Sequence, residues 1–142
     1  MRLRIVLGLV AGALLMTSAC AEMAHEACVQ RLSEHFAASR AFDDSPADLA
    51  QARSLLAQLG NLVASADTEG CKSQVVFGVS ELKAAITDLQ TAMSDGQIVA
   101  HGLFSLFGAQ GSSPLSQQGA ASTKRFDAAV KILKAEGITG LD

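Results

Sequence analysis

Between positions 75 and 93, six large apolar residues recur at intervals of four, three, four, three and four: Val75, Val79, Leu82, Ile86, Leu89 and Met93. An α-helix turns once in about 3.6 residues, so this spacing keeps all six on one narrow face. The pattern is sustained for nearly three heptads, which is the pattern of a bundle seam. A helix with such a face has to bury it against other helices. The chain is well suited to supply them. It has only two prolines, Pro46 and Pro114, and no run of alternating polar and apolar residues long enough for a sheet.

The neighbouring segments read as partners for that seam. A first helix is expected over 22–41, with Ala24, Cys28, Leu32, His35 and Phe36 on one face and Arg31, Glu34 and Arg40 off it. Ser45 is a good N-cap for a second helix, Pro46 suits the first helical position, and Asp48 follows three residues after the cap. Leu49, Ala52, Leu56, Leu59 and Val63 follow at helical spacing, and Gly60-Asn61 within the last turns is expected to end or bend the helix there. Asp67-Thr68-Glu69-Gly70 reads as a loop, with Asp67 or Thr68 available to cap a third helix from about Cys71 to Ser94, and Gly96 as its stop. The uncharged segment 97–109 suits a short buried helix, and the Gly-, Ser- and Gln-rich stretch 108–122 a flexible loop. A last helix over about 123–136, capped by Ser122, turns Phe126, Ala129, Val130 and Leu133 inward and Lys124, Lys131 and Lys134 outward. Gly137 followed by Ile138 fits a Schellman stop.

Two cysteines test this plan. Three helices joined by short turns run up, down and up. Cys28 lies about 13 residues, or roughly 20 Å, below the top of the first helix. The second helix descends about 20 residues, roughly 30 Å, and the third then starts at Cys71. Both cysteines therefore fall at the same end of the bundle. A Cys28–Cys71 bridge would close a loop of about 44 residues and stabilise the fold by up to about 4 kcal/mol in the chain-entropy view. The expected fold is an all-α antiparallel helical bundle of about four main helices and one short apolar helix, with that single disulfide.

A disulfide requires an oxidising compartment, and the start of the chain points to one. Arg2 and Arg4 precede an uncharged apolar run from Ile5 to Met16, and Thr17-Ser18-Ala19-Cys20-Ala21 is a string of small residues. This is the layout of a bacterial export signal, and the run is too short for the roughly 20 residues of a membrane-spanning helix. Ala19-Cys20-Ala21 suits a cut before Glu22. Ser18-Ala19-Cys20 resembles the lipobox of bacterial lipoproteins, which implies a cut before Cys20 and a lipid on its sulfur. Thr17 departs from that box, which usually has an aliphatic residue there. Residues 1–21 are thus read as a cleaved signal and 22–142 as one helical domain. Cys20 is removed or lipidated, and Cys28 and Cys71 remain as a pair. Taking Arg2 and Arg4 from the 11 Lys and Arg leaves 9 against 14 Asp and Glu, a formal charge of −5. That balance, with six Phe and no Trp or Tyr, argues against nucleic-acid binding.

The histidines are the natural candidates for chemistry. Glu22-x-x-His25 has the spacing of a di-iron motif, but such sites need two copies and further carboxylates, so a solvated helix start is the expectation there. His35 is expected to be half-buried and satisfied by a polar neighbour. His101 lies in the uncharged segment among Val99, Leu103 and Phe104. With Met23 or Met93 it offers a haem- or metal-binding alternative. No Gly-x-Ser-x-Gly, His-Glu-x-x-His or phosphate-binding loop occurs, so an enzyme is not expected, and neither is a cofactor. Leu103, Phe104, Leu106 and Phe107 form an apolar stretch suited to the core or to docking a partner. The expected function is that of a small protein-interaction or binding module exported to the bacterial periplasm, soluble or tethered through Cys20, with a protein partner in the envelope.

Overall fold

The computed structural model describes residues 3–39, 41, 47–94 and 117–142. These form four helices and, among the described residues, no strand: α1 Leu3–Ala37, α2 Leu49–Ala64, α3 Ser73–Ser94 and α4 Gln117–Ala135. The fold is the expected all-helical bundle, with α3 packed between α2 and α4. All six seam residues of α3 are buried, against Leu55, Leu56, Leu59 and Val63 of α2 and Ala129 and Leu133 of α4 within one core. Phe126 and Val130 of α4 are half-buried at its edge.

A small residue on α3, Gly78, lets α4 approach closely. Gly78, Ala85 and Ala92 recur every seven residues, stand nearly above one another, and are all buried. At Gly78 a Cβ would come within 2.8 Å of Leu133 Cδ2 and 3.2 Å of Ile132 Cγ2. Glycine therefore admits the side chains of α4 where any other residue would collide.

Polar groups brace this interface at its rim. Arg125 of α4 donates from Nε and Nη2 to the two carboxylate oxygens of Glu81 on α3, at 2.7 and 2.8 Å. Asp88, two turns further along α3, lies 3.4 Å from Arg125 Nη1.

The second half of α1 lies between two irregular segments. On one side, Ala24 meets Gly70, Arg31 meets Asp67 and Glu69, and His35 meets Leu62 and Ser65. On the other side, Val29 meets Gly137, Ser33 meets Thr139 and Ala37 meets Gly140. The α2–α3 connection thus runs antiparallel to α1, and the chain after α4 runs parallel to it. Cys28, Leu32 and Phe36 are buried between them, with Ile138 and Leu141 from the tail. The Cys28–Cys71 disulfide is formed, with Cα atoms 5.3 Å apart, at the end of the bundle where α2 finishes, α3 begins and α4 finishes.

Several boundaries differ from the sequence-based reading. Helix α1 stops at Ala37 and not at 41, and it is continuous back to Leu3 through the apolar run. Helix α2 is capped by Asp48, whose carboxylate accepts the Gln51 N–H at 2.8 Å while Gln51 Oε1 accepts the Ala47 N–H. Asp48 is therefore the cap and not a residue within the first turn, and Ser45 and Pro46 lie outside the described residues. Gly60-Asn61 does not end α2, because the helix continues to Ala64. Gly60 instead faces Gln90, whose Nε2 reaches the Leu56 carbonyl at 3.0 Å. Helix α3 begins at Ser73, after Asp67 Oδ1 has accepted the Glu69 N–H in a tight turn. Helix α4 begins at Gln117, so residues 117–122 are helical and Ser122 is a buried helical residue in place of a cap. Gln and Ala are good helix formers, and the one glycine there costs only about 1 kcal/mol. The Schellman stop is present: Ile138 N–H reaches Leu133 O at 3.1 Å, Gly137 N–H reaches Lys134 O at 3.0 Å, and Gly137 has φ +89°. Gly96, the expected short helix over 97–109 and the first part of the loop expected over 108–122 lie outside the described residues.

Candidate functional site

The densest polar arrangement is at the end of the bundle closed by the disulfide. His25, three residues before Cys28, turns inward and is only 8 % exposed. Its Nδ1 accepts the Lys72 backbone N–H at 3.3 Å. A neutral ring with Nδ1 as acceptor carries its proton on Nε2. That nitrogen faces Glu136 Oε2 at 3.5 Å. One imidazole thereby links α1, the start of α3 and the end of α4. Glu22 pairs with the Lys72 ammonium at 3.2 Å, whereas His25 meets the Lys72 backbone. The two residues do not converge on a common point, and no group of three or more His, Cys, Asp or Glu is placed to hold a metal among the described residues. Glu22 is solvated as expected, but it lies within α1 and not at a helix start, and His25 is buried and not solvated. Buried positions 25, 28, 32 and 36 follow one another at helical spacing, and that face would have included His25.

His35 is half-buried, as expected. Its Nε2 donates to the Leu62 carbonyl at 2.7 Å, with Ser65 Oγ at 3.4 Å, so it ties α1 to the last turn of α2. The aromatic edge of His35 also meets Phe36, with ring centroids 5.5 Å apart. Arg31 adds a third link, donating from Nη2 to Glu69 O at 2.6 Å, with its Nε 3.1 Å from Asp67 Oδ2. These groups are engaged in seating α1.

The other site residues are dispersed. Met93 is buried at the end of the α3 seam, whereas Met23 is exposed on α1. His101 and the apolar residues Leu103, Phe104, Leu106 and Phe107 lie outside the described residues. Cys20 is exposed with a free thiol.

Three large apolar side chains are exposed among the described residues: Met23 at 68 %, Phe77 at 53 % and Val76 at 42 %. Val76 and Phe77 occupy the second turn of α3, off the seam. Val76 stands one turn beyond Lys72, whose ammonium reaches Glu22, the residue before Met23. The sequence carried a signal for this surface that the seam obscured. Once Val75 and Val79 are assigned inward, the helical period sends Val76 and Phe77 outward. No known protein family, characterised protein or solved structure matches this chain.

Proposed function

We propose that this chain is an exported helical module of the bacterial envelope that docks a protein partner through the outward face of α3 around Val76 and Phe77. The observation that carries this reading is the exposure of two adjacent large apolar residues on the most extensively packed helix of the bundle. Covering each of them would contribute roughly 1.5–3 kcal/mol, enough to anchor a small interface. Their polar neighbours, Gln74 and Ser80, give the surface a soluble rim.

The compartment rests on two further features. The Cys28–Cys71 bridge suits an oxidising environment. Among the contacts described, those of α1 with other elements begin at Glu22, and Ser18–Ala24 are exposed. A cut before Cys20 or before Glu22 leaves every one of those contacts in place. No helix among the described residues is long and apolar enough to cross a membrane.

The test combines two measurements. Intact mass of the exported protein distinguishes a start at Glu22 from a lipidated start at Cys20, and an uncut chain would overturn the export reading. A photo-crosslinking residue at position 77 should capture a defined envelope protein in cells. Phe77→Ser should abolish that protein's binding while leaving the melting temperature unchanged. Undiminished binding by Phe77→Ser would move the docking surface elsewhere.

A further inference from the structure

At the opposite end of the bundle, α2 and α3 leave a groove of about 220 Å³ lined by Arg53, Leu56, Ala57, Gln90 and Met93. Leu56 and Met93 are buried and form an apolar floor. Gln90 is held at one wall by its bond to the Leu56 carbonyl. Arg53 stands at the rim, with Nη2 donating to the Met93 carbonyl at 3.3 Å. That bond uses one of the five guanidinium donors and fixes the orientation of the rest. Arg31 and Arg125 are each paired with carboxylates, whereas Arg53 has no carboxylate partner among the described residues. The nearest acid along α2, Asp48, is committed to the Gln51 N–H. The amino end of α2 and the carboxyl end of α3 lie side by side here, so their opposite end charges offset each other. Among the described residues, Arg53 is the charged group that lines the groove.

We propose that this groove is a binding site for a small amphipathic carboxylate, with its apolar part over Leu56 and Met93 and its carboxylate on Arg53. An oriented guanidinium favours a planar carboxylate over a point anion because it can offer two parallel donors. The volume is below the roughly 300–1,000 Å³ of sites for drug-sized ligands, which limits the occupant to about ten non-hydrogen atoms, the scale of a medium-chain fatty acid.

Octanoate is a suitable probe, with octanol as the uncharged control. In an amide NMR titration of the purified protein, octanoate should shift the signals of residues 53–57 and 90–93 and bind at least tenfold more tightly than octanol. Arg53→Gln should reduce octanoate binding to the octanol level, and Arg53→Lys should restore part of it. Ala57→Phe, on an exposed position at the groove wall, should block both ligands without lowering the melting temperature. Equal binding of octanoate and octanol, or shifts centred on Val76 and Phe77 with the groove unmoved, would overturn the proposal. Melting curves of the three variants, recorded alongside, separate lost binding from lost folding.

Discussion

Arg125 on α4 grips Glu81 on α3 with two parallel hydrogen bonds, Nε to Oε2 and Nη2 to Oε1, across the most closely packed helix pair of the bundle. The pair is partly exposed, so its worth lies in geometry more than in burial. The Arg125 hydrogen bonds, followed by its charge, hold the Glu81 carboxyl below its ordinary value of 4.5. The same contacts raise Arg125, which remains charged throughout the accessible range.

A pH dependence follows from the sign of that shift. A carboxylate with a lowered folded pKa stabilises the protein above its unfolded value, and the contribution is lost as pH falls through the folded one. Glu81→Gln should therefore lower the melting temperature at about pH 7, and the difference from the parent should shrink toward zero as the pH falls through the lowered folded value of Glu81. Thermal melts of both proteins across that range check this. A difference that persists unchanged in acid would mean that the pair acts through shape alone.

Gly78→Ala tests the close approach of α3 and α4. Alanine gains about 1 kcal/mol in helix propensity. Its methyl would sit 2.8 Å from Leu133 Cδ2, and overpacking of this kind costs about 1–3 kcal/mol. Net destabilisation is expected by chemical denaturation. Combining it with Leu133→Ala, which alone costs about 2–5 kcal/mol, should give less than the sum of the two single effects. Strict additivity would show that the two positions do not compete for space.

Gly137 and Gly140 both have positive φ, at +89° and +82°, yet their surroundings differ. A Cβ at Gly137 would meet only Val29 Cγ1 at 3.7 Å. One at Gly140 would fall 2.6 Å from the Ala37 backbone nitrogen. Gly137→Ala should cost about 1 kcal/mol for its backbone alone. Gly140→Ala should cost more, about 2–3 kcal/mol, because the tail must also lift from α1. Equal losses in a denaturant series would mean that the tail is not seated on α1 at that point.

Removing the disulfide should have a large but bounded effect. Paired Cys28→Ala and Cys71→Ala substitutions are expected to reduce stability by up to about 4 kcal/mol. Without reductant, alkylation should label neither residue.

What was legible in the sequence followed from apolar period. The α3 seam, the inward face of α4 and the shared end of Cys28 and Cys71 all come from large apolar or sulfur-bearing residues at helical spacing. Small residues escaped that reading. Gly78 carries no side chain, so the apolar period does not mark it as a point of close approach by α4. At the start of α2, Ser45 and Asp48 are both acceptable caps, and Gln51, which donates its N–H to Asp48 and accepts the Ala47 N–H on its side chain, favours Asp48. His25, polar and so expected at the surface, is buried because its Nδ1 accepts the Lys72 N–H and its Nε2 lies 3.5 Å from Glu136, both remote in sequence. The α3 surface at Val76 and Phe77 was hidden for the opposite reason, because apolar residues beside a seam are readily counted as part of it.

The cradle around α1 bears on the order in which the protein can assemble. Ser33 receives the Thr139 amide from 106 positions away, and Ile138 and Leu141 complete the floor beneath Leu32 and Phe36. A chain delivered from its amino end presents α1 first and completes the seat for α1 last. During delivery the apolar face of α1 has no permanent cover, and long-range closures of this kind are slow. The first helix to emerge is therefore the one most in need of a temporary companion.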